Sequence, residues 1–239
     1  MNVFIGYDSR EQEAWSVCAH TLMRHATIPL QVEPLSHRRP EMTRPYRQDG
    51  VQFHDGIDGR PFSTEFSFAR FLVPYLMGYQ GWALFCDCDV LFRADIREVW
   101  EQRDESKAVQ LVQHRYSPGF GFKMDGVVQA PYERKNWSSF VLWNCGHRAH
   151  RIAGRYRGLD LRKINAYPGF FLHTFQWLEM SEIGELGQEW NWLVGHSPTS
   201  IDPKAVHFTE GGPWFPGFQD VPYAAEWHAA RNAMMRKVA

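Results

Sequence analysis

Asp87, Cys88 and Asp89 interrupt an apolar run, with Gly81-Trp82-Ala83-Leu84-Phe85-Cys86 before them and Val90-Leu91-Phe92 after. Two carboxylates this close repel each other. In apolar surroundings each ionised group is also costly to desolvate unless it is paired or bound to a metal. A divalent cation removes both penalties. Oxygen donors suit manganese or magnesium, whereas an Asp-Cys-Asp triplet makes a poor zinc site. Read as the end of a buried strand, the triplet sends Asp87 and Asp89 to one face and Cys88 to the other. A solvated turn with incidental charges is the alternative.

The elements that must position this triplet read as α/β. Val3-Phe4-Ile5-Gly6-Tyr7-Asp8 predicts a first parallel strand, followed by Ser9 as the cap of a helix over Glu11–His25 with Gln12 three positions on. Ligands of open α/β sheets gather beyond the carboxyl ends of strands, which puts Gly6, Tyr7 and Asp8 at a binding crevice. Leu30–Leu35 reads as a second strand, and the polar, Pro- and Arg-rich stretch to Gly59 as a loop. Ser63–Leu76 carries apolar residues at helical steps and leads into the Asp87 strand. Arg70 interrupts it, either as an ion-paired neighbour of the core or as a fork for an acidic or phosphate group.

Composition narrows the function. The chain has 239 residues, 44% of them hydrophobic, which predicts a single domain over 1–239 with residues 220–239 as a C-terminal helical extension. Its 26 basic and 27 acidic residues leave a net charge of −1, which argues against a nucleic-acid partner. Neither GxGxxG nor GxxxxGKS/T occurs, so a dinucleotide enzyme or P-loop ATPase is not indicated. Four cysteines without a CxxC pair, no charged leader and no long apolar run predict a cytoplasmic protein, at most peripheral at a membrane. His147–Arg157 is the one distinctly basic stretch, open to a polyanion or simply a solvated face. Trp190, Trp192, Trp214, Phe215 and Phe218 divide between core and sugar stacking.

The order of an Asp-ending first strand, Phe68-Ala69-Arg70-Phe71-Leu72-Val73-Pro74-Tyr75-Leu76, and Leu84-Phe85-Cys86-Asp87-Cys88-Asp89-Val90-Leu91-Phe92 resembles glycosyltransferase family 8, as does Asp95-Ile96-Arg97-Glu98-Val99-Trp100 after it. The family includes glycogenin and bacterial lipopolysaccharide glycosyltransferases. The resemblance implies a GT-A fold with a mostly parallel central sheet flanked by helices. It also implies retaining transfer of a hexose from a UDP-sugar to a carbohydrate or glycoconjugate acceptor, with Mn2+ (or Mg2+) on a DxD motif. Asp87 and Asp89 would then be both catalytic and metal ligands, and His207, in Val206-His207-Phe208-Thr209, the third ligand. Cys88 lies within the cofactor-contacting triplet.

Departures from the family pattern leave other contacts to be assigned. The phosphate-binding lysine of the family's HFxGxxKPW segment has no counterpart in His207-Phe208-Thr209-Glu210-Gly211-Gly212-Pro213-Trp214. Backbone N–H groups of Gly211 and Gly212, in a flexible turn that could close as a lid, or a basic residue from elsewhere, would replace it. Ser138 and Asn144 stand near the family's donor-sugar segment, and His173 or Gln176 near its Gln-Asp-x-Leu-Asn segment. A sugar nucleotidyltransferase, a non-catalytic nucleotide-sugar binder and a polyanion-binding protein are the competing functions.

Overall fold

The apolar runs become neighbouring strands in the computed structural model, which describes residues 1–115, 121–122, 128–129 and 133–236. Along the chain these are β1 (Asn2–Gly6), α1 (Gln12–His25), β2 (Gln31–Leu35), β3 (Tyr46–Asp49), β4 (Gln52–Asp55), β5 (Pro61–Phe62), α2 (Val73–Leu76) and β6 (Trp82–Cys86). They continue with β7 (Val90–Phe92), α3 (Arg97–Trp100), β8 (Val109–Leu111), β9 (Gly121–Phe122), β10 (Val128–Gln129) and β11 (Phe140–Asn144). The last elements are α4 (Leu161–Ala166), α5 (Gly169–His173), β12 (Ile183–Glu185), β13 (Trp192–Leu193), β14 (Ala205–His207) and α6 (Ala224–Arg236).

The central sheet has the order β12-β8-β11-β6-β1-β2. It is parallel at β2–β1, β1–β6 and β12–β8, while β11 runs antiparallel to both β6 and β8. Every residue of β6, β8 and β11 is buried, Gln110 and Asn144 being the polar members of otherwise apolar strands covered on both faces. Helix α1 and the Ala69–Leu76 segment supply part of that cover. A smaller sheet, β13-β14-β7, packs Leu91, Trp192, Val206 and Phe208 against Val17 of α1 and Trp227 of α6.

Four sequence expectations are corrected here. The run Leu84–Phe92 is not one strand: β6 ends at Cys86, the triplet forms a turn, and β7 joins the other sheet. The turn lets Asp87 keep one last bond across the central sheet, its N–H to the Ser139 carbonyl at 2.9 Å, before the chain leaves it. Ser63–Leu76 is a turn, then a 3-10 segment over Ala69–Leu72, then the short α2. Pro74, in the first turn of α2, cannot donate the bond a longer helix would need. The stretch to Gly59 holds the antiparallel strands β3 and β4, with Arg44 and Asp55 paired where both are buried. Ser9 does not cap α1: Glu11 stands at that position, and the Ser9 hydroxyl donates to Glu65 instead.

Gly211 and Gly212 are buried beneath aromatic rings. A Cβ on Gly211, whose φ is +145°, would lie 2.9 Å from the Phe218 ring, and one on Gly212 would lie 2.0 Å from the Trp214 ring. The pair therefore serves close packing where a flexible turn was expected. Gly212→Ala is expected to destabilise the fold by about 1–3 kcal/mol, the usual range for overpacking, measured by denaturant unfolding.

Candidate metal centre

The Asp87–Asp89 turn lies where the two sheets meet. In β14, antiparallel to β7, His207 stands opposite Val90, and the Phe208 N–H donates to the Asp89 carbonyl at 2.9 Å. This register brings one ligand atom each from Asp87, Asp89 and His207 within 4.8 Å of one another. His207 Nε2 lies 3.3 Å from Asp89 Oδ1, and His207 is almost fully buried. On the other side of the ring, Nδ1 lies 2.8 Å from Asn191 Oδ1. An amide oxygen can only accept, so it fixes the proton on Nδ1 and leaves the Nε2 lone pair directed toward the carboxylates. Asn191 is itself held, its Nδ2 donating to Ser139 Oγ at 2.9 Å and to the Asn136 carbonyl at 3.3 Å. Two carboxylates and one imidazole with a fixed tautomer make a donor set that fits a divalent cation.

The two aspartates have different neighbours. The buried Arg70 guanidinium places Nη1 3.0 Å from Asp87 Oδ1, and the same nitrogen donates to the Ser138 carbonyl at 2.8 Å. Phe66 and Phe85 lie beneath this cation, at 5.3 and 5.1 Å from their ring centres. Of the two roles read from the sequence, Arg70 takes that of the ion-paired core neighbour. Ser138 Oγ stands 3.0 Å from Nδ1 of His173, which follows Leu172 at the end of α5. Burial, and then the positive charges of Arg70, Lys135 and Arg44, push the His173 imidazole well below its ordinary range, so the ring is neutral.

Other predicted site residues fall elsewhere or have other work. Asp8 follows β1, the neighbour of β6, but both its carboxylate oxygens are engaged: Arg10 Nε and N–H reach Oδ1 at 2.9 Å, and Glu65 N–H reaches Oδ2 at 3.1 Å. Gly6 allows the Phe66 ring to lie where a Cβ would sit 2.5 Å from it, and the Tyr7 N–H bonds the Leu35 carbonyl at 2.8 Å. Cys88 is buried, and its thiol is pushed well up by that burial and then by Glu11, Asp89, Asp87 and Asp8 around it. Asn144 is the clear misplacement. It pairs with Trp82 at the far end of β6 from Asp87, and its amide donates toward Glu105. The Gln176 side chain is exposed. Trp190, Trp192 and Phe215 belong to the buried interior.

Sequence reasoning missed Asn191 and Lys135. Asn191 lies between Trp190 and Trp192, in a stretch read as core or stacking surface. Lys135 is buried and lies close enough to His173 to depress its pKa, but it sits in a polar segment without a motif. Asn191→Ala is expected to weaken divalent-metal affinity by about 10–100-fold, because it frees the His207 tautomer, and to cost about 1–3 kcal/mol of stability, because it leaves buried partners of its amide unmet. Metal titration followed by calorimetry checks this.

Protein CDI of Arabidopsis thaliana is 44% identical to the chain over 231 residues, covering 94% of the chain and 83% of that protein. The chain belongs to the Protein CDI family. No family model matches the sequence. Among solved structures, this CDI-family chain is similar in fold to glycosyltransferases. GlyE of Streptococcus pneumoniae TIGR4, in its apo form, superposes with a TM-score of 0.60 at 13% identity, covering 99% of the chain and 62% of GlyE. The bifunctional WbbM gives 0.59 at 15% identity, covering 97% of the chain, which spans about half (49%) of WbbM. The galactosyltransferase LgtC, solved with donor and acceptor sugar analogs, gives 0.55 at 11% identity, covering 98% of the chain and 96% of LgtC. The CDI-family fold is therefore α/β of GT-A type, with a mostly parallel central sheet flanked by helices. Among the described residues no helix is long and apolar enough to cross a membrane.

Proposed function

We propose that the chain is a metal-dependent glycosyltransferase of the family 8 kind, moving a hexose from a UDP-sugar to a carbohydrate or glycoconjugate acceptor with retention of configuration. The observation that carries this reading is the convergence of Asp87, Asp89 and a tautomer-fixed His207 at the junction of two sheets in a GT-A fold. These three side chains would hold Mn2+ or Mg2+. When bound, such a cation neutralises, as a Lewis acid, the charge that builds on a departing diphosphate.

The chain's own residues divide the remaining work. Arg70 fixes the orientation of Asp87 and keeps the Ser138 carbonyl engaged. Lys135, buried and close enough to His173 to lower its pKa, is the candidate basic residue for the family's missing phosphate lysine. His173, neutral and tied to Ser138, can exchange hydrogen bonds with a sugar hydroxyl. It is favoured over Gln176 as the sugar-side group because the Gln176 side chain is exposed. The test is a panel of nucleotide sugars with manganese, reading nucleoside diphosphate release with and without saccharide acceptors. UDP release from a UDP-hexose is expected. A panel without turnover would remove the catalytic reading.

A further inference from the structure

Helices α1 and α6 lie side by side over the smaller sheet, where Val17 of α1 and Trp227 and Ala230 of α6 pack together with Leu91. Glu13, at the start of α1, pairs with Arg231 in the second half of α6. Arg24 and His25, at the end of α1, come together with Glu226 and Ala229 in the first half of α6, so the two helices run antiparallel. At that end they part around a cavity of about 300 Å³, the lower end of the size range of small-molecule sites. Leu91, Phe92 and Arg93 also line it, which places the cavity where β7 leads away from Asp89.

The lining divides into an apolar floor and a cationic rim. Leu91 and Phe92 are buried side chains, and Ala229 and Ala230 are too small to fill the space between the helices. On the rim, Arg93 is already matched: its Nε lies 2.9 Å from Glu226 and its Nη1 2.8 Å from Asp202. The one carboxylate of the lining is thereby neutralised. Arg24 and His25 are not matched in this way. Arg24 is exposed and pairs with no carboxylate among the described residues, and neither ring nitrogen of the half-buried His25 is hydrogen-bonded among them. Burial, and then the charge of Arg24, push the His25 imidazole below its ordinary range; Asp95 opposes the shift and Arg93 adds to it. Cations in a last turn also favour the carbonyl end of a helix dipole, but that does not account for an open cavity beside them.

We infer that this cavity binds a small amphipathic anion, with its phosphate or carboxylate head between Arg24 and His25 and its apolar body on Leu91, Phe92 and the two alanines. A guanidinium fork and a protonated imidazole form charge-assisted hydrogen bonds to either head group. The site is separate from the Asp87–Asp89–His207 centre and stands without the glycosyltransferase reading. Because the bound negative charge favours the imidazolium form of His25, binding takes up a proton, and affinity rises as pH falls.

The experiment titrates the full chain with phenyl phosphate, benzoate and the uncharged benzyl alcohol, in EDTA so that no divalent cation on the three ligands competes for the anions. Calorimetry gives the affinities, and the imidazole resonances of His25 give its pKa by NMR. Phenyl phosphate or benzoate should bind at least about tenfold more tightly than benzyl alcohol, the tighter of the two naming the head group. Benzoate stays ionised between about pH 6 and 8, so its affinity should be higher at the acid end, and His25→Gln should remove that difference. Saturating benzoate should raise the His25 pKa. Arg24→Gln should weaken both anions about fivefold or more, and Ala229→Leu, which fills the cavity from an exposed position, should weaken them to a similar degree. UDP affinity in manganese should be the same in all three variants as in the wild type. Absence of binding by either anion, equal affinity for benzyl alcohol, or affinities unmoved in Arg24→Gln and Ala229→Leu overturns the inference.

Discussion

Asp89→Asn should abolish manganese binding in practical terms, lowering affinity by more than about 100-fold, with little change in thermal stability. The magnitude exceeds the 10–100-fold usual for residues that only support a ligand, because here a ligand and its negative charge are both lost. The small structural effect follows from the surroundings of Asp89. The isosteric amide keeps the contact with the His207 ring, whose Nε2 lies 3.3 Å from Oδ1, and the Asp89 backbone carbonyl, which accepts from Phe208, is untouched by the substitution. Calorimetric titration with manganese, alongside thermal unfolding of the metal-free protein, checks both halves. His207→Ala should behave similarly but more mildly, since it removes a neutral donor, and should narrow the advantage of manganese over magnesium.

Arg70→Met should act on the fold first. The guanidinium is buried against Asp87, the Ser138 carbonyl and two phenylalanine rings, and losing one partner of a buried ion pair costs about 3–5 kcal/mol. For a chain of this size, that lowers Tm on the order of 10 °C. The partner left behind is Asp87, a predicted metal ligand, so a cation bound there would take over the compensating charge. Manganese should therefore raise the Tm of the Arg70→Met protein more than that of the wild type. Calorimetric unfolding with manganese and with EDTA checks this. An equal manganese shift in the two proteins would separate Arg70 from the metal centre.

The carboxylates were legible because charge inside an apolar run demands an explanation from desolvation alone. That argument gave the place of Asp87 and Asp89 but not the path of the chain, which leaves the sheet between them instead of continuing as one strand. Alternation along a strand therefore does not explain their convergence; the turn does, together with the β7–β14 register. His207 came only through resemblance to a family, since about 120 positions separate it from the aspartates and no local pattern links them. Asn144 shows what strand direction hides. Because β11 runs antiparallel to β6, its start at Phe140 pairs with Cys86, next to Asp87, and its end at Asn144 pairs with Trp82 at the far end of β6. For Asp8 the sequence leaves ligand contact and a plain turn acid open, and its pairing with Arg10 two residues on is one that a list of acids at strand ends does not reveal. Asn191 carried no signal at all. Its role appears only once its oxygen is seen 2.8 Å from the His207 ring.

The central claim is that Asp87, Asp89 and His207 hold a cation that in turn holds a diphosphate. Its most direct test is calorimetric titration of the wild-type protein with UDP, once in manganese and once in EDTA. Affinity at least about tenfold tighter in manganese is predicted, the equivalent of about 1.4 kcal/mol. Equal affinity in the two buffers would contradict the account.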